Sequence, residues 1–226
     1  PRSTQSRSSA ASDVYKRQVV GKTGDSMSKL RGTKVGMIFQ NPLTALNPLM
    51  KIGQQVMEML AVHEVYPESQ YESRTFQLLE QVGIPNSKRV ANQFPHQLSG
   101  GMRQRVMIAI AIANDPDLII ADEPTTALDV TIQAQILDLI LDVQKKKNAG
   151  VILITHDLGV VAEVADTVAV MYAGQLVEKA SVEELFNNPK HPYTRSLLRS
   201  NPSAETVSDD LYAVSYTHLT LPTIYS

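Results

Sequence analysis

The sequence predicts an α/β fold with a mainly parallel sheet and an inserted α-helical subdomain. Short apolar segments have the pattern of buried strands, and segments with apolar residues at helical spacing lie between them. Strands that alternate with helices along a chain are typical of parallel sheets. Residues 43–97 interrupt this alternation, because they have helical apolar spacing, several prolines and no strand pattern.

Each predicted element has its own signal in the sequence. Residues 34–39 are short and apolar and end at the turn sequence Gln40-Asn41-Pro42, as expected of a buried strand. Residues 102–113 are apolar on nearly every helical face after Arg105, which predicts a buried helix. The remaining predicted elements are strands at 118–121, 151–154 and 167–172, and helices at 131–147, at 158–164 and after the capping serine at 181.

Composition excludes several classes of protein. The net charge of −2 gives no electrostatic footprint for nucleic acid. No apolar run in the sequence reaches the length of a membrane span, so a role at a membrane would depend on partner proteins. The chain has no cysteine, which excludes disulfides and thiolate metal sites.

Three features of the sequence carry chemistry. Asp122 and Glu123 follow the strand at 118–121, and ligands bind beyond the carboxyl ends of strands in open parallel sheets. The turn at 99–101, Ser-Gly-Gly, opens a helix and offers a hydroxyl and backbone N–H groups where the helix dipole favours an anion. His156 follows Thr155 at the end of the strand at 151–154. Taken singly, each feature has a plain structural explanation: solvated loop acids, a helix cap and a structural histidine.

In their fixed order, these motifs resemble the ATP-binding subunit of ABC transporters, in the branch that imports oligopeptides, dipeptides or nickel. The resemblance covers residues 19–203. Its most specific strings are Leu98-Ser99-Gly100-Gly101-Met102-Arg103-Gln104-Arg105, the strand at 118–121 with Asp122-Glu123-Pro124-Thr125-Thr126-Ala127-Leu128-Asp129, and Thr155-His156-Asp157. The resemblance implies a P-loop NTPase-like ABC ATPase core with a mainly parallel sheet and an inserted α-helical subdomain, and it implies ATP and Mg²⁺ as cofactors.

The resemblance also implies a role for each matched residue. Glu123 is expected to be the general base, and His156 and Gln40 are expected to hold the attacking water. Asp122 and Gln40 are the expected Mg²⁺ ligands. The turn at 99–101 is the expected signature turn, and Ser99, Gly100, Gly101 and Gln104 are expected to contact ATP held by an opposite subunit. Asp129 is expected to be the acid of the D-loop and also to contribute to nucleotide binding. Asp129 is equally expected to cap the helix at 131–147.

The sequence Asn188-Pro189-Lys190-His191-Pro192-Tyr193-Thr194 and the string at 39–48 indicate the peptide and nickel branch by resemblance. The implied function is ATP hydrolysis that powers import of short peptides, at the cytoplasmic face of the plasma (inner) membrane. The implied partners are a second ABC ATPase subunit, identical or homologous, two transmembrane permease subunits and, indirectly, an extracytoplasmic solute-binding protein. The ATPase of a nickel or other small-solute importer stays open as the alternative. A DNA-repair or chromosome-structure ATPase would need long coiled-coil heptads between Gln40 and Ser99, and that interval is too short and is interrupted by prolines.

Both ends of the chain depart from the family pattern. Residues 8–18 can be encoded by a common transposase sequencing adapter, and residues 214–223 by its reverse complement, so we expect non-native tails at 1–18 and 213–226. The phosphate-binding loop G-x-x-x-x-G-K-[ST] is absent, because Lys16 occupies the position of the first glycine before Gly21-Lys22-Thr23. We therefore expect a fragment that lacks the first strands and the P-loop and is inactive by itself. The expected division is ATPase core at 19–42, helical subdomain at 43–97, ATPase core at 98–180 and a C-terminal family extension at 181–212.

Overall fold

The computed structural model describes Gly24, Met27, residues 30–126 and residues 128–200. The chain divides into two compact units, and the boundary falls between Ile154 and Thr155. The predicted tails at 1–18 and 213–226 and the sequence at 21–23 lie outside the described residues. The predicted domain boundaries at 42/43, 97/98 and 180/181 stay predictions.

A parallel sheet of three strands forms the centre of the first unit, in the order β1-β2-β3. The strands are β1 Val35–Ile38, β2 Leu118–Asp122 and β3 Gly150–Ile154. The register pairs Ile38 with Ala121 and pairs Asp122 with Ile154, so the carboxyl ends of the three strands lie along one edge of the sheet. The predicted α/β fold with a parallel sheet is confirmed.

Residues 42–97, all of them described, contain helices and no strand. The α-helices are α1 Pro42–Ala45, α2 Ile52–His63, α3 Tyr71–Gln81 and α4 Ser87–Ala91, and two short 3-10 helices lie at Glu68–Gln70 and Pro95–Gln97. Val56 and Leu60 on α2 and Leu78 and Leu79 on α3 are fully buried, as their helical spacing predicts. Asn41 begins α1 by accepting the backbone N–H of Leu43 at 2.9 Å.

Two longer helices cover one face of the sheet: α5 Gly100–Ala111 and α6 Val130–Lys147. Val106, Met107, Ile108 and Ala109 are buried, so the predicted burial of this helix is confirmed. The strand β1 approaches α5 closely at Gly36, where a Cβ atom would lie 2.2 Å from the carbonyl oxygen of Ala111. Only a glycine permits this approach of strand to helix.

Asp115 links the helical residues at 42–97 to the end of α6. Its carboxylate accepts a hydrogen bond from the Tyr66 hydroxyl and forms ion pairs with Arg74 at 3.1 Å and with Lys147 at 2.5 Å. The Arg74 guanidinium also lies over the Tyr66 ring, 5.2 Å from its centroid. Partial burial raises the pKa of Asp115, but the hydrogen bonds from Lys147 and Tyr66 and the charges of Arg74 and Lys147 outweigh it and hold that pKa below its usual value.

The second unit is built on an antiparallel hairpin followed by two helices. Its elements are α7 Leu158–Val164, β4 Thr167–Tyr172, β5 Gln175–Ser181, α8 Val182–Asn187 and α9 Pro192–Arg199. The strand predicted at 167–172 is confirmed, and it pairs antiparallel with β5 in a sheet separate from the parallel one. The two residues between them, Ala173 and Gly174, both have positive φ, as tight hairpin turns require.

Glu178 on β5 anchors the segment that precedes α9. Its carboxylate accepts the backbone N–H groups of Lys190 at 2.8 Å and His191 at 3.0 Å. The His191 ring in turn accepts the N–H of Tyr193 at 3.1 Å and so caps α9. The Tyr193 ring packs on Tyr172 of β4 with centroids 4.6 Å apart. This segment, which indicated the transporter branch, is therefore part of the folded second unit.

Candidate active site

The two acids predicted to carry the chemistry lie at the carboxyl end of β2. Asp122 is the last residue of the strand, and the backbone N–H of Glu123 donates to the carbonyl oxygen of Ile154 at 2.9 Å. Glu123 has a φ of 44°, in the left-handed region that most residues avoid. Backbone strain of this kind persists where neighbouring contacts impose it, and it clusters at functional sites.

The Glu123 carboxylate receives two side-chain hydrogen bonds on the same oxygen. The Gln40 amide donates to Glu123 Oε2 at 2.6 Å, and the Thr126 hydroxyl donates to the same oxygen at 2.9 Å. Gln40 follows β1 and Glu123 follows β2, so the parallel register brings together residues that are 83 positions apart in the sequence. The Thr126 contact was not predicted, although Thr126 lies within the motif string that follows Glu123.

The predicted signature turn forms the start of α5. Ser99 is its N-cap, and the Ser99 hydroxyl oxygen accepts the backbone N–H of Met102 at 3.3 Å. A Cβ atom on Gly101 would lie 3.0 Å from the Ile132 side chain, and one on Gly100 would lie 3.8 Å from Leu128. The start of α5 therefore packs against the loop that leads into α6, and the prediction that this turn opens a helix is confirmed. The nucleotide contact of Ser99, Gly100 and Gly101 stays a prediction.

Gln104 and Asp129 lie beside this turn in different environments. Gln104 is only 2% exposed, and its side-chain amide donates to the carbonyl oxygen of Pro124 at 2.6 Å. Asp129 is exposed and caps α6 by accepting the backbone N–H of Ile132 at 3.0 Å. The capping role expected of Asp129 is confirmed, and its role in a nucleotide site stays a prediction.

His156 belongs to the second unit and is exposed. It stands between Thr155, whose hydroxyl accepts the backbone N–H of Asp157 at 3.0 Å, and Asp157, whose carboxylate caps α7 through the N–H of Gly159 at 2.9 Å. The first unit thus brings Gln40, Asp122 and Glu123 together. The catalytic role of His156 stays a prediction.

The described residues offer oxygen ligands at the edge of the sheet but no closed metal cage. Within the described ranges, no group of three or more His, Asp or Glu side chains is arranged to hold a metal ion. Asp122, Glu123 and Gln40 supply carboxylate and amide oxygens. Mg²⁺ is usually held by one or two carboxylates together with phosphate oxygens, and this set suits such binding.

Comparison with known families agrees with this arrangement. Residues 9–126 match the ABC transporter family, and residues 177–220 match the oligopeptide/dipeptide transporter C-terminal region. The first match spans half of the chain, and the chain belongs to the ABC transporter family. The two matched ranges include residues 9–18 and 213–220, which are parts of the predicted tails.

Individual relatives point to the same family. The chain is 91% identical over 197 residues to the oligopeptide transport ATP-binding protein OppD of Lactococcus lactis subsp. cremoris (strain SK11), which covers 87% of this chain and 58% of that protein. It is 58% identical over 184 residues to OppD of Bacillus subtilis (strain 168), which covers 81% of this chain and 51% of that protein. The chain therefore spans about half the length of these relatives.

Solved structures of ATP-binding cassettes share the fold. One is the dimeric structure of a post-hydrolysis state of the cassette MJ0796 bound to ADP and Pi, with 30% identity and a TM-score of 0.62, covering 72% of this chain and 68% of that chain. Another is cbiO1 from Clostridium perfringens, part of the ABC transporter complex cbiONQ, with 29% identity and a TM-score of 0.61, covering 72% of this chain and 61% of that chain.

Proposed function

We propose that this chain is part of an ATP-hydrolysing subunit that powers the import of short peptides through an ABC transporter. The observation that carries the proposal is the hydrogen bond between Gln40 and Glu123 at 2.6 Å, which joins the ends of two parallel strands at the ligand-binding edge of the sheet. Membership of the ABC transporter family supports it. The relatives described above are oligopeptide transport ATP-binding proteins, which favours peptides over nickel.

In this proposal Glu123 takes a proton from the water that attacks the terminal phosphate of ATP. Proton transfer to a positioned carboxylate contributes about 10²- to 10⁴-fold in rate. The bonds from Gln40 and Thr126 to Glu123 Oε2 hold the carboxylate in one orientation, which favours a productive geometry. Mg²⁺, held by Asp122 and Gln40, would neutralise charge on the phosphates.

The remaining site residues are divided between two nucleotides in this proposal. Ser99, Gly100 and Gly101 would bind the terminal phosphate of ATP on an opposite subunit, because a helix N-terminus with unpaired N–H groups favours an anion. Asp129 would extend across the dimer interface, and His156 would hold the attacking water at its own site. The dimeric MJ0796 cassette with ADP and Pi supports a two-subunit arrangement.

The proposed partners are a second ATPase subunit, two permease subunits and, indirectly, an extracytoplasmic solute-binding protein. We place the subunit at the cytoplasmic face of the membrane, attached through the permeases. Among the helices of the described residues, none has both the length and the apolar character needed to cross a bilayer. The sequence contains no G-x-x-x-x-G-K-[ST] string, so we propose that the full-length protein supplies the P-loop and that this chain alone binds ATP negligibly.

The test compares the full-length protein that contains this sequence with its Glu123→Gln variant. We expect the variant to lose about 10²- to 10⁴-fold in the rate of phosphate release while it still binds Mg-ATP, because only the base is removed. Asp138→Asn, on the exposed face of α6, is the matched control and should keep the wild-type rate. A wild-type protein without ATPase activity, or a Glu123→Gln variant with the wild-type rate, would contradict the proposal. In the reconstituted transporter, stimulation by peptide and not by nickel would support the substrate class.

A further inference from the structure

We infer that Gln104 is a positioning residue, which ties the signature turn of this chain to the turn that carries its own Glu123. The inference rests on the proposed function, because it assigns Glu123 to catalysis. It differs from the role that the motif predicts for Gln104, a contact with nucleotide. A side chain that is 2% exposed and hydrogen-bonded inside its own unit is not presented to a ligand on another subunit.

The link is a single buried hydrogen bond between two functional turns. Gln104 lies one helical turn after Gly100 on α5, and its amide donates at 2.6 Å to the carbonyl oxygen of Pro124. Pro124 follows Glu123 directly and is itself buried. Because the proline ring fixes φ, this turn has little freedom to absorb a shift of its carbonyl group. Loss of the Gln104 amide would leave a buried carbonyl oxygen without this partner, which a protein interior tolerates poorly.

Apolar contacts also join the start of α5 to the residues that follow the Glu123 turn. Gly101 lies against Ile132, and Gly100 lies near Leu128, with the distances given above. Asp129, between them in sequence, fixes the start of α6 through its bond to the N–H of Ile132. The start of α5, the turn after Glu123 and the start of α6 are therefore in mutual contact, and Gln104 supplies a polar connection within them.

This arrangement has a consequence for two sites in the proposed dimer. Ser99 to Gly101 would contact the nucleotide bound to the partner, while Glu123 would act on the nucleotide of its own subunit. A displacement of the signature turn is passed through Gln104 to Pro124 and from there to the backbone of Glu123. Coupling between sites travels through packed and hydrogen-bonded contacts of this kind. Gln104 thus makes the position of Glu123 depend on whether the signature turn contacts the nucleotide of the partner subunit.

The test replaces Gln104 by methionine in the full-length protein. Methionine keeps the length and nearly the volume of the side chain and removes the amide donor. The matched control is Gln55→Met on α2. Gln55 is also a buried glutamine, at 8% exposure, and its amide donates to the carbonyl oxygens of Asn47 and Met50 at 3.0 and 2.9 Å. Thermal midpoints, kcat, KM for ATP and the Hill coefficient are measured for both variants, with kcat taken at a temperature where both are folded.

We expect Gln104→Met to lower kcat by about tenfold or more and to reduce the Hill coefficient, because small displacements of a catalytic group have large effects on rate. KM for ATP should stay within about twofold, since the side chain does not touch nucleotide. Gln55→Met should lower the thermal midpoint and leave kcat near the wild-type value. Equal effects of the two variants on kcat, or a raised KM with an unchanged kcat, would overturn the inference. A wild-type protein without ATPase activity would overturn the proposed function and this inference with it.

Discussion

Replacement of Asp115 by alanine removes the carboxylate on which Tyr66, Arg74 and Lys147 converge. Asp115 is 36% exposed, so each of its two ion pairs contributes only about 0.5–1 kcal/mol to the free energy of unfolding. The hydrogen bond from Tyr66 adds about 1 kcal/mol. Asp115 also has a φ of 52°, a conformation that costs alanine about 1 kcal/mol. The expected loss for Asp115→Ala is therefore about 3–4 kcal/mol.

Asp115→Asn separates the charge from the backbone conformation. Asparagine tolerates positive φ and keeps an acceptor oxygen, so we expect it to destabilise by only about 1–1.5 kcal/mol. Both variants are measured by urea unfolding of the purified full-length protein, with Tyr66→Phe as a third variant that removes one hydrogen bond. An Asp115→Ala variant within about 0.5 kcal/mol of wild type would refute the reasoning, because that is the scatter of ordinary surface substitutions.

The Asp115 network also predicts a pH dependence. The pKa of Asp115 is lower in the folded protein than in the unfolded chain. Its stabilising contribution is therefore present above the unfolded value of about 3.9 and is lost as the pH falls through the lower folded value. The difference in free energy of unfolding between wild type and Asp115→Asn should shrink below about pH 4. A difference that stays constant down to pH 2 would show that the charge of the Asp115 carboxylate contributes nothing to the free energy of unfolding.

Three further substitutions test other parts of the structure. Gly36→Ala should destabilise by more than about 2 kcal/mol, because the added Cβ would lie 2.2 Å from a backbone oxygen that cannot move aside; an unchanged thermal midpoint would contradict this. Glu178→Gln should speed proteolysis between residues 187 and 191, because the anionic acceptor of two backbone N–H groups is lost. Thr194 and those N–H groups hold the pKa of Glu178 below its usual value, so the Glu178 carboxylate should stay charged between pH 5 and pH 8. Asp129→Ser keeps a capping oxygen and should keep stability while it lowers ATP hydrolysis, whereas full hydrolysis would argue against the D-loop role.

The elements that were predicted well from the sequence are those whose buried residues recur at regular spacing. The strand at 118–122 and the helix at 130–147 were predicted within one residue at each end, because a short apolar run and a long amphipathic repeat have few alternative structures. The strand Gln175–Ser181 was missed, because it contains Gln, Glu and Lys and pairs through a turn whose first residue is alanine. The helix Pro192–Arg199 was missed because it is short and polar.

In the site, the motif strings predicted which residues matter but not which of them touch. The contact between Gln40 and Glu123 depends on the pairing of β1 with β2, which no local pattern encodes. The burial of Gln104 had a detectable signal. It lies on one helical face with Ile108 and Ala111, at spacings of four and seven residues, and both of those residues are buried. The signature motif predicted a nucleotide contact for Gln104, and the periodic position of Gln104 among buried residues was not used.

The close approach of β1 to α5 limits how far Gln40 can travel. Ile38 is held in a strand that Gly36 presses against the Ala111 carbonyl group, and Asn41 is held as the cap of α1. Phe39 and Gln40 therefore form a tether of two residues between two fixed points, with a full reach of about 11 Å. A shift of α1 that moves Asn41 would therefore also pull on Gln40, whose amide donates to Glu123. The helical residues at 42–97 are thus joined to the hydrogen bond between Gln40 and Glu123 through only two residues of chain.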